Sequence, residues 1–412
     1  MAPQLRTLEA QEWDTWYGTV ERAFGGPPTP PEARGLWQSL TEHDRSIAAW
    51  DGDECVGTAG AFSLRLSVPG GSVVDTAGVT MVSVAATHRR RGLMTQMMRR
   101  QLDDVRERGE PLAALVASEP GIYGRFGYGM ATQQLSASID TARVRMEVPA
   151  GTGADGVRLR YADPLSALPA CEAVYADQVA DRPGTPARLP GWERLAVLAP
   201  GGGGHDGGSP LRCVVAERDG TAVGYARFQH TPQWDATGAR GTIVLRDLDA
   251  QDPAAYAMLW RFFFEIDLTS TLMAENRPVD DVWQHLVSDV RRCERHLRDG
   301  LFVRLVDVGA ALESRAYRTP VDVVFEVEDS FCPWNEGRWR LAGDGRGASC
   351  TRTAAPADVT LQATALASVY LGGFALTALA RAGRADELKR GALARASLAF
   401  GNDTAPWLPH SF

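Results

Sequence analysis

VSVAATHRRRGLMT, residues 82–95, decides how the rest of the chain is read. Behind GVTM (78–81) its first residues alternate apolar and small, as a strand with one buried face should. The turn HRRRG follows, and beyond it Leu93, Met94, Met97, Met98, Leu102 and Val105 recur at three- and four-residue spacing, the apolar stripe of an amphipathic helix. The stretch therefore predicts a strand, a tight loop and a helix start. A helix start leaves backbone N–H groups without partners and carries partial positive charge, so it is a natural seat for phosphate. The alternative is a surface turn with three solvated arginines.

At 412 residues the chain is too long for a single core, and about 100–200 residues per domain predicts two to four domains. A hydrophobic share of 44% and a charged share of 23% describe an ordinary globular protein. The net charge of -8 speaks against a general nucleic-acid binder and suits a surface that attracts cationic small molecules. No apolar run reaches the ~18 residues that a membrane span requires. The opening MAPQLRTLEAQEWDTW carries no apolar signal region, so no membrane and a cytoplasmic location are expected. The six cysteines, Cys55, Cys171, Cys213, Cys293, Cys332 and Cys350, never approach C-x-x-C spacing. The seven histidines form no cluster, and no metal is expected.

Outward from the central stretch, residues 1–50 read as helical, with Trp13, Trp16, Tyr17, Phe24 and Trp37 interrupting polar sequence and GGPPTPP (25–31) breaking it as a loop. Those aromatics either wall a cleft or pack a core. Asp51-Gly52 opens a hairpin, DGDECVGTAGAFSL, and PLAALVA (111–117) is a further strand, followed by SEPGIYGRFGYGMA (118–131). A second pass through the same order begins after the loop at 150–156. Residues 161–180 read as helix, Asp219-Gly220 repeats the hairpin, TIVLRDLDA (242–250) stands in the place of the central strand and PAAYAMLWRFFFEID in that of the helix. Their junction, AQDPAA, has no Arg/Gly loop, so this copy is expected to bind a pyrophosphate poorly and to act as scaffold. PGGGGHDGGSP (200–210) is expected as a flexible loop. From about 294 the chain turns strand-rich, with LFVRLVDVGAALESRAY, PVDVVFEVED, a hairpin in GRWRLAGDGRGASCTRT, and an apolar helix in DVTLQATALASVYLGGFALTALARAG. The apolar helix either lines a lipid pocket or is buried against a neighbouring domain.

Arg89, Gly92 and Met94 place Arg-x-x-Gly-x-Met at the turn, which resembles the R/Q-x-x-G-x-G/A pyrophosphate loop of the GNAT acetyltransferases, with Met where that family has a small residue. Helix, hairpin, strand, loop, helix, strand is also the GNAT order, over residues 1–150. THRRRGLM, ASEPGIYGRFGYG and a chain ending on Phe412 after PWLPHS together resemble the Eis (enhanced intracellular survival) family of bacterial N-acetyltransferases. That resemblance covers the whole chain. It implies an α/β (α+β) architecture of tandem GNAT domains followed by a sterol-carrier-like domain: an active domain at 1–150, a degenerate one at 151–293, and a closing domain at 294–412 that supplies the terminal carboxylate. It further implies acetyl-CoA as co-substrate, a homohexamer, and acetylation of amines on polycations such as aminoglycosides, at several positions.

Acetyl transfer to an amine needs a held thioester, a neutral amine beside its carbonyl, a stabilised oxyanion and a proton for the departing thiolate. By the resemblance, Val82, Ser83 and Val84 line the pantetheine through the strand backbone, and Arg90, Arg91, Gly92, Leu93, Met94 and Thr95 surround the pyrophosphate. Tyr123 matches the tyrosine that protonates the thiolate, and the Phe412 carboxylate matches the base. A phenol with an ordinary pKa near ~10 keeps its proton at neutral pH, whereas a terminal carboxylate at ~3.3–3.7 is a weak base that suits a water-mediated or orienting role. The alternatives are a packed tyrosine and a frayed terminus. Ser118 and Glu119 match cofactor-touching positions and otherwise read as plain loop. Phe24, Trp37 and Trp192 are the candidate acceptor walls. The loop after Phe24 departs from the family, which often has an acidic residue there. A lysine side chain or protein N-terminus as acceptor is the competing enzymatic reading, and a lipid carrier built on the C-terminal domain is the non-enzymatic one.

Overall fold

The structure is a computed structural model that describes residues 3–149, 156–199, 208–236 and 238–412. The expected loops at 150–156 and 200–210 therefore fall largely outside the described residues, as does the expected boundary at 150/151. The chain forms two compact units, one of Met1–Thr132, Ala180–Ala187 and Asp299–Phe412, the other of Gln133–Val179 and Arg188–Arg298.

The first unit is built on a sheet whose strands are β1 (Gln4–Thr7), β2 (Ile47–Asp51), β3 (Glu54–Ser67), β4 (Val73–Val84), β5 (Leu112–Val116), β6 (Gly129–Met130), β9 (Pro186–Ala187) and β17 (Leu301–Leu305). Their order is β1-β2-β3-β4-β5-β17-β6, with β9 on the far end of β3. The Asp51-Gly52 turn joins β2 to β3 as expected. β1 was not legible as a strand: four residues of a polar N-terminus are held extended only by their pairing with β2. Helices α1 (Trp13–Phe24) and α2 (Pro31–Leu40) cover one face of β3, and α3 (Leu93–Glu107) covers the other. The buried side of α3 is Leu93, Met97, Met98, Gln101, Leu102 and Val105: the predicted stripe without Met94, which is half-buried, plus a glutamine whose Nε2 donates to the Gly60 carbonyl at 2.9 Å.

The C-terminal part of this unit has a five-stranded sheet, β18 (Val321–Glu328), β19 (Gly337–Asp344), β20 (Gly347–Arg352), β21 (Val359–Gln362) and β22 (Ala385–Glu387), in the order β20-β19-β18-β21-β22. Helices α7 (Val308–Glu313), α8 (Ala363–Val369), α9 (Leu376–Arg381) and α10 (Ala392–Phe400) accompany it. VGAALE, expected within a strand-rich segment, is α7 instead, because the Asp307 carboxylate accepts from the Ala310 amide at 2.9 Å and caps its start. One core joins this part to the first sheet: Leu66, Val74, Leu112, Ala114 and Val303 pack with Phe325, Leu366, Val369 and Phe400. The apolar helix α8 is thus buried in that shared core, with the Thr364 carbonyl so close over β6 that a Cβ at Gly129 would come within 2.2 Å of it. β17 pairs with β5 and β6, so a strand numbered among the C-terminal residues completes the N-terminal sheet.

The second unit repeats the plan with β7 (Gln133–Asp140), β8 (Arg158–Ala162), β10 (Arg212–Arg218), β11 (Thr221–Thr231), β14 (Gly241–Ala250), β15 (Thr269–Arg277) and β16 (Cys293–Asp299), in the order β16-β7-β15-β14-β11-β10-β8. A ribbon of β12 (Trp234–Asp235) and β13 (Gly238–Ala239) leaves it. Helices α4 (Leu168–Gln178), α5 (Leu195–Leu198) and α6 (Pro253–Phe264) complete the unit. Of the predicted helix at 161–180, the first two residues belong to β8 and the helix itself is α4.

Candidate active site

The site begins where two parallel strands part. β4 and β5 pair only at Thr76↔Leu112, Ala77↔Ala113 and Gly78↔Ala114, and past that point no pairing between them is found among the described residues. On its other edge β4 stays paired to β3, with a bulge opposite residues 58–60. Met81 sits in that bulge at φ 51°. A bulge adds one residue and re-aims the side chains after it. Accordingly Thr80 reaches Phe412, Met81 packs with the α1 aromatics, Ser83 shares a 2.7 Å hydrogen bond with the Thr58 hydroxyl, and Val82 packs toward α3. The Thr58 hydroxyl also donates to the Met81 carbonyl at 2.7 Å, which pins the bulge. The backbone of Val82, Ser83 and Val84 is left with a free edge along the gap, where the amides of an extended ligand can pair.

At the end of β4 the loop is pegged before it turns. His88 is buried, with Nε2 3.0 Å from Asp51 Oδ2 and Nδ1 2.8 Å from the Thr87 hydroxyl, so the first residue of HRRRG is structural. That hydrogen bond holds the Asp51 carboxyl below its ordinary range. Arg89, Arg90 and Arg91 are exposed, with Arg90 at φ 64° and Gly92 at φ 80°. Gly92 is the N-cap residue of α3, and no side chain caps the helix. The amides of Leu93, Met94 and Thr95 therefore open the helix without a side-chain acceptor, although the Leu93 side chain itself is buried. Uncapped amides, three exposed guanidinium groups and the free edge of β4 fit a pyrophosphate followed by an extended pantetheine arm. The corresponding place in the second unit differs. There the Asp252 carboxylate caps α6, accepting from the Ala255 amide at 2.9 Å and pairing with Arg218 at 3.0 Å, so an anion of the chain's own occupies the seat.

Tyr123 lies on a 3-10 turn, Pro120–Phe126, directly after β5. It packs with Ala77, Val79 and Leu115 of the two parting strands and with Ala117 just past β5, and it meets Tyr128 edge-on, centroids 6.0 Å apart. Burial pushes its phenol above the ordinary tyrosine value, and the Glu119 carboxylate pushes it in the same direction. Its hydroxyl has no hydrogen-bond partner among the described residues. Ser118 and Glu119 are exposed on the loop before it, with Glu119 3.9 Å from the Arg89 guanidinium.

Phe412 comes to the opposite face of the same strands. The Thr80 hydroxyl donates to its terminal carboxylate at 2.9 Å. Its ring lies against β4 so closely that a Cβ at Gly78 would be 3.2 Å from it and 2.4 Å from Leu64. Alternate residues of β3 carry the rest of this face: a Cβ at Gly60 would meet the Trp16 ring at 3.4 Å, and Phe62 stacks on Trp37 at 6.2 Å. Phe24 is 56% exposed at the end of α1, while Trp192 belongs to the second unit and is only 3% exposed. Above this layer Arg34 pairs with Glu21 at 2.7 Å and Asp14 at 3.1 Å and lies over the rings of Trp13 and Tyr17. Gly78, Thr80 and Thr58 carry no signal of their own in the sequence; they are ordinary strand residues until the tail and the bulge arrive beside them.

Profiles of an acetyltransferase (GNAT) domain match residues 4–131 and 184–305, and a sterol carrier protein domain matches residues 308–409. An uncharacterized N-acetyltransferase of Streptomyces avermitilis is 63% identical over 412 residues, covering 100% of both chains. N-acetyltransferase Eis of Mycobacterium tuberculosis is 35% identical over 394 residues and 90% of each chain. The chain belongs to the Eis family of GNAT N-acetyltransferases. The crystal structure of Eis1 from Mycobacterium abscessus superposes with a TM-score of 0.83 at 34% identity, covering 100% of both chains. The two sheets that each diverge from a parallel pair are the tandem GNAT folds of this family, and the five-stranded sheet with its helices is the sterol-carrier-like domain. A GNAT fold implies acetyl-CoA as the acetyl donor. Among the described residues there is no group of three His, Cys, Asp or Glu side chains arranged to hold a metal, and no helix is long and apolar enough to cross a membrane.

Proposed function

We propose that this Eis-family enzyme transfers acetyl groups from acetyl-CoA directly to amines of polycationic small molecules such as aminoglycosides, at more than one position. The observation that carries the proposal is the Thr80 hydrogen bond to the Phe412 carboxylate beside the parting of β4 and β5. Acetyl-CoA supplies the activated acyl carbon and a thiolate leaving group. Val82, Ser83 and Val84 pair with its pantetheine, a free strand amide stabilises the oxyanion, and Arg90, Arg91, Gly92, Leu93, Met94 and Thr95 hold its pyrophosphate. The Phe412 carboxylate orients the substrate ammonium and accepts its proton, directly or through one water, so that the neutral amine attacks. Tyr123, kept protonated by burial, gives its proton to the sulfur as the C–S bond breaks. Ser118 and Glu119 border the cofactor arm, and Phe24 and Trp37 are the acceptor walls; Trp192, buried in the second unit, is set aside as a packing residue. The working form is a cytoplasmic homohexamer, which sedimentation at micromolar concentration tests directly.

Adding a few residues after Phe412 is expected to abolish turnover while coenzyme A still raises the melting temperature. A fully active extended protein sinks the base role. Thiol release from acetyl-CoA, measured with N-terminally tagged enzyme on aminoglycosides, polyamines and lysine peptides, tests the acceptor class. One observation favours peptide amines as the second reading: Asp14 and Glu21, carboxylates of α1 that a polycation would seek, are already engaged by Arg34. Activity on peptides with silence on aminoglycosides would select it.

A further inference from the structure

The last residues of the chain do not reach Thr80 by their own packing alone. Between two stretches of the second unit, Ala180–Ala187 crosses into the first unit and lies along β3. Pro186 and Ala187 pair with Leu66 and Arg65, the Gly184 amide donates to the Ser67 carbonyl at 2.8 Å, and the Ser67 amide donates to the Thr185 carbonyl at 2.9 Å. This strap is therefore fixed to the strand that carries Leu64, the residue packed beneath the site of the Phe412 ring. Its outer side holds the tail. The Arg182 guanidinium donates to the Ala405 carbonyl at 2.6 Å, and the Trp407 amide donates to the Pro183 carbonyl at 2.9 Å. Gly184 runs at φ 90°, and a Cβ there would lie 2.9 Å from the Trp407 carbonyl oxygen and 3.2 Å from its nitrogen, so no larger residue allows this approach. Beyond it Leu408 drops into the shared core. Only four residues then separate that anchor from the carboxylate.

We propose that the strap Ala180–Ala187 sets the register of the C-terminal tail, with Arg182 and Gly184 as positioning residues for the terminal carboxylate. This rests on the reading of Phe412 as base. The physical reason is leverage. A terminus is ordinarily among the least ordered parts of a chain, and a reacting group displaced by about 1 Å can lose about a hundredfold in rate. A carboxylate used for proton transfer at the very end of a chain therefore needs an anchor close behind it. The strap supplies one at Ala405 and Trp407.

The test compares Arg182→Ala, Arg182→Lys and Gly184→Ala in the full chain with the C-terminally extended protein. Arg182→Ala and Gly184→Ala are expected to lower kcat at least tenfold, with the KM for acetyl-CoA and the coenzyme A-induced rise in melting temperature unchanged. Arg182→Lys, which keeps a donor, is expected to recover part of kcat. In combination with the C-terminal extension, the strap substitutions are expected to leave the coenzyme A-induced rise in melting temperature unchanged, because they position the tail and not the cofactor. An inactive extended protein beside strap variants of normal kcat would overturn the strap alone. Strap variants that lose the coenzyme A-induced rise would do the same, since that would mark general destabilisation. A fully active extended protein would overturn both the strap and the base reading.

Discussion

If the Phe412 carboxylate is the base, as proposed, Thr80 bears on the chemistry through one hydrogen bond. Its hydroxyl donates to a carboxylate, and a hydrogen bond to a charged group contributes ~1.5–3 kcal/mol. Thr80→Val, nearly the same volume without the donor, is expected to lower kcat by about tenfold or more while acetyl-CoA binds as before, and Thr80→Ser to remain close to wild type. Steady-state kinetics on both variants check this, and an unchanged kcat in Thr80→Val would remove the hydroxyl from the account. Tyr123 stands on the other face of the parting strands in a mostly apolar setting, which favours the neutral phenol. That is the protonation state a general acid needs. The residue type and its Gly-rich flanks were legible in GIYGRFGYG, but its burial against Ala77 and Val79 was not, because those contacts join residues far apart in the chain.

At the scale of elements, the strand-loop-helix unit was readable because each part depends on local sequence. Alternation made β4, the glycine at the turn allowed a left-handed residue, and the Met/Leu stripe made α3 amphipathic. Gly92 holds φ 80°, and a Cβ there would meet only the Gln96 Nε2 at an ordinary contact distance of 3.7 Å, so Gly92→Ala is strained by its backbone and not by a clash. The strain of ~1 kcal/mol predicts a KM for acetyl-CoA raised roughly fivefold with kcat little changed. Titration of coenzyme A by calorimetry checks the same change in affinity. The bulge at Met81 was not readable. Nothing in GVTMVSV distinguishes it from regular strand, since a bulge is created by the pairing with β3 and stabilised by the Thr58 hydroxyl. The helix α7 illustrates a different failure: VGAALE follows soon after five strand residues, and only Val306 and the Asp307 cap separate the two.

For the molecule as a whole, the first unit owes much of its stability to aromatic residues buried where its parts share a core. Burial holds the phenols of Tyr128, Tyr317 and Tyr370 above the ordinary tyrosine range, with Tyr370 at about 12. In the unfolded chain each titrates near ~10. Below that pH both states keep the proton, and the contribution to stability is fully present. As pH rises from ~10 toward the folded values, the unfolded chain loses protons that the folded chain retains, so stability falls. The melting temperature is therefore expected to drop clearly between pH 9 and pH 11 at constant ionic strength. A flat profile would show that these phenols ionise in place without cost.

Composition, periodicity and the loop motif by themselves determined the mixed α/β class, the repeat of one strand-and-helix order along the chain, the strand-loop-helix unit that ends in α3, and the lack of an Arg/Gly loop at the AQDPAA junction, where Asp252 caps α6. These depend on neighbours within a few residues, and such neighbours are visible in a linear text. The tertiary structure alone decided that β17 completes the first sheet, that the apolar helix α8 is buried in a shared core, and that the terminal carboxylate meets Thr80 from across the whole length of the chain. Those are pairings between distant segments, selected by mutual burial and hydrogen bonding, and no local pattern encodes which partner a strand edge or a chain end will find.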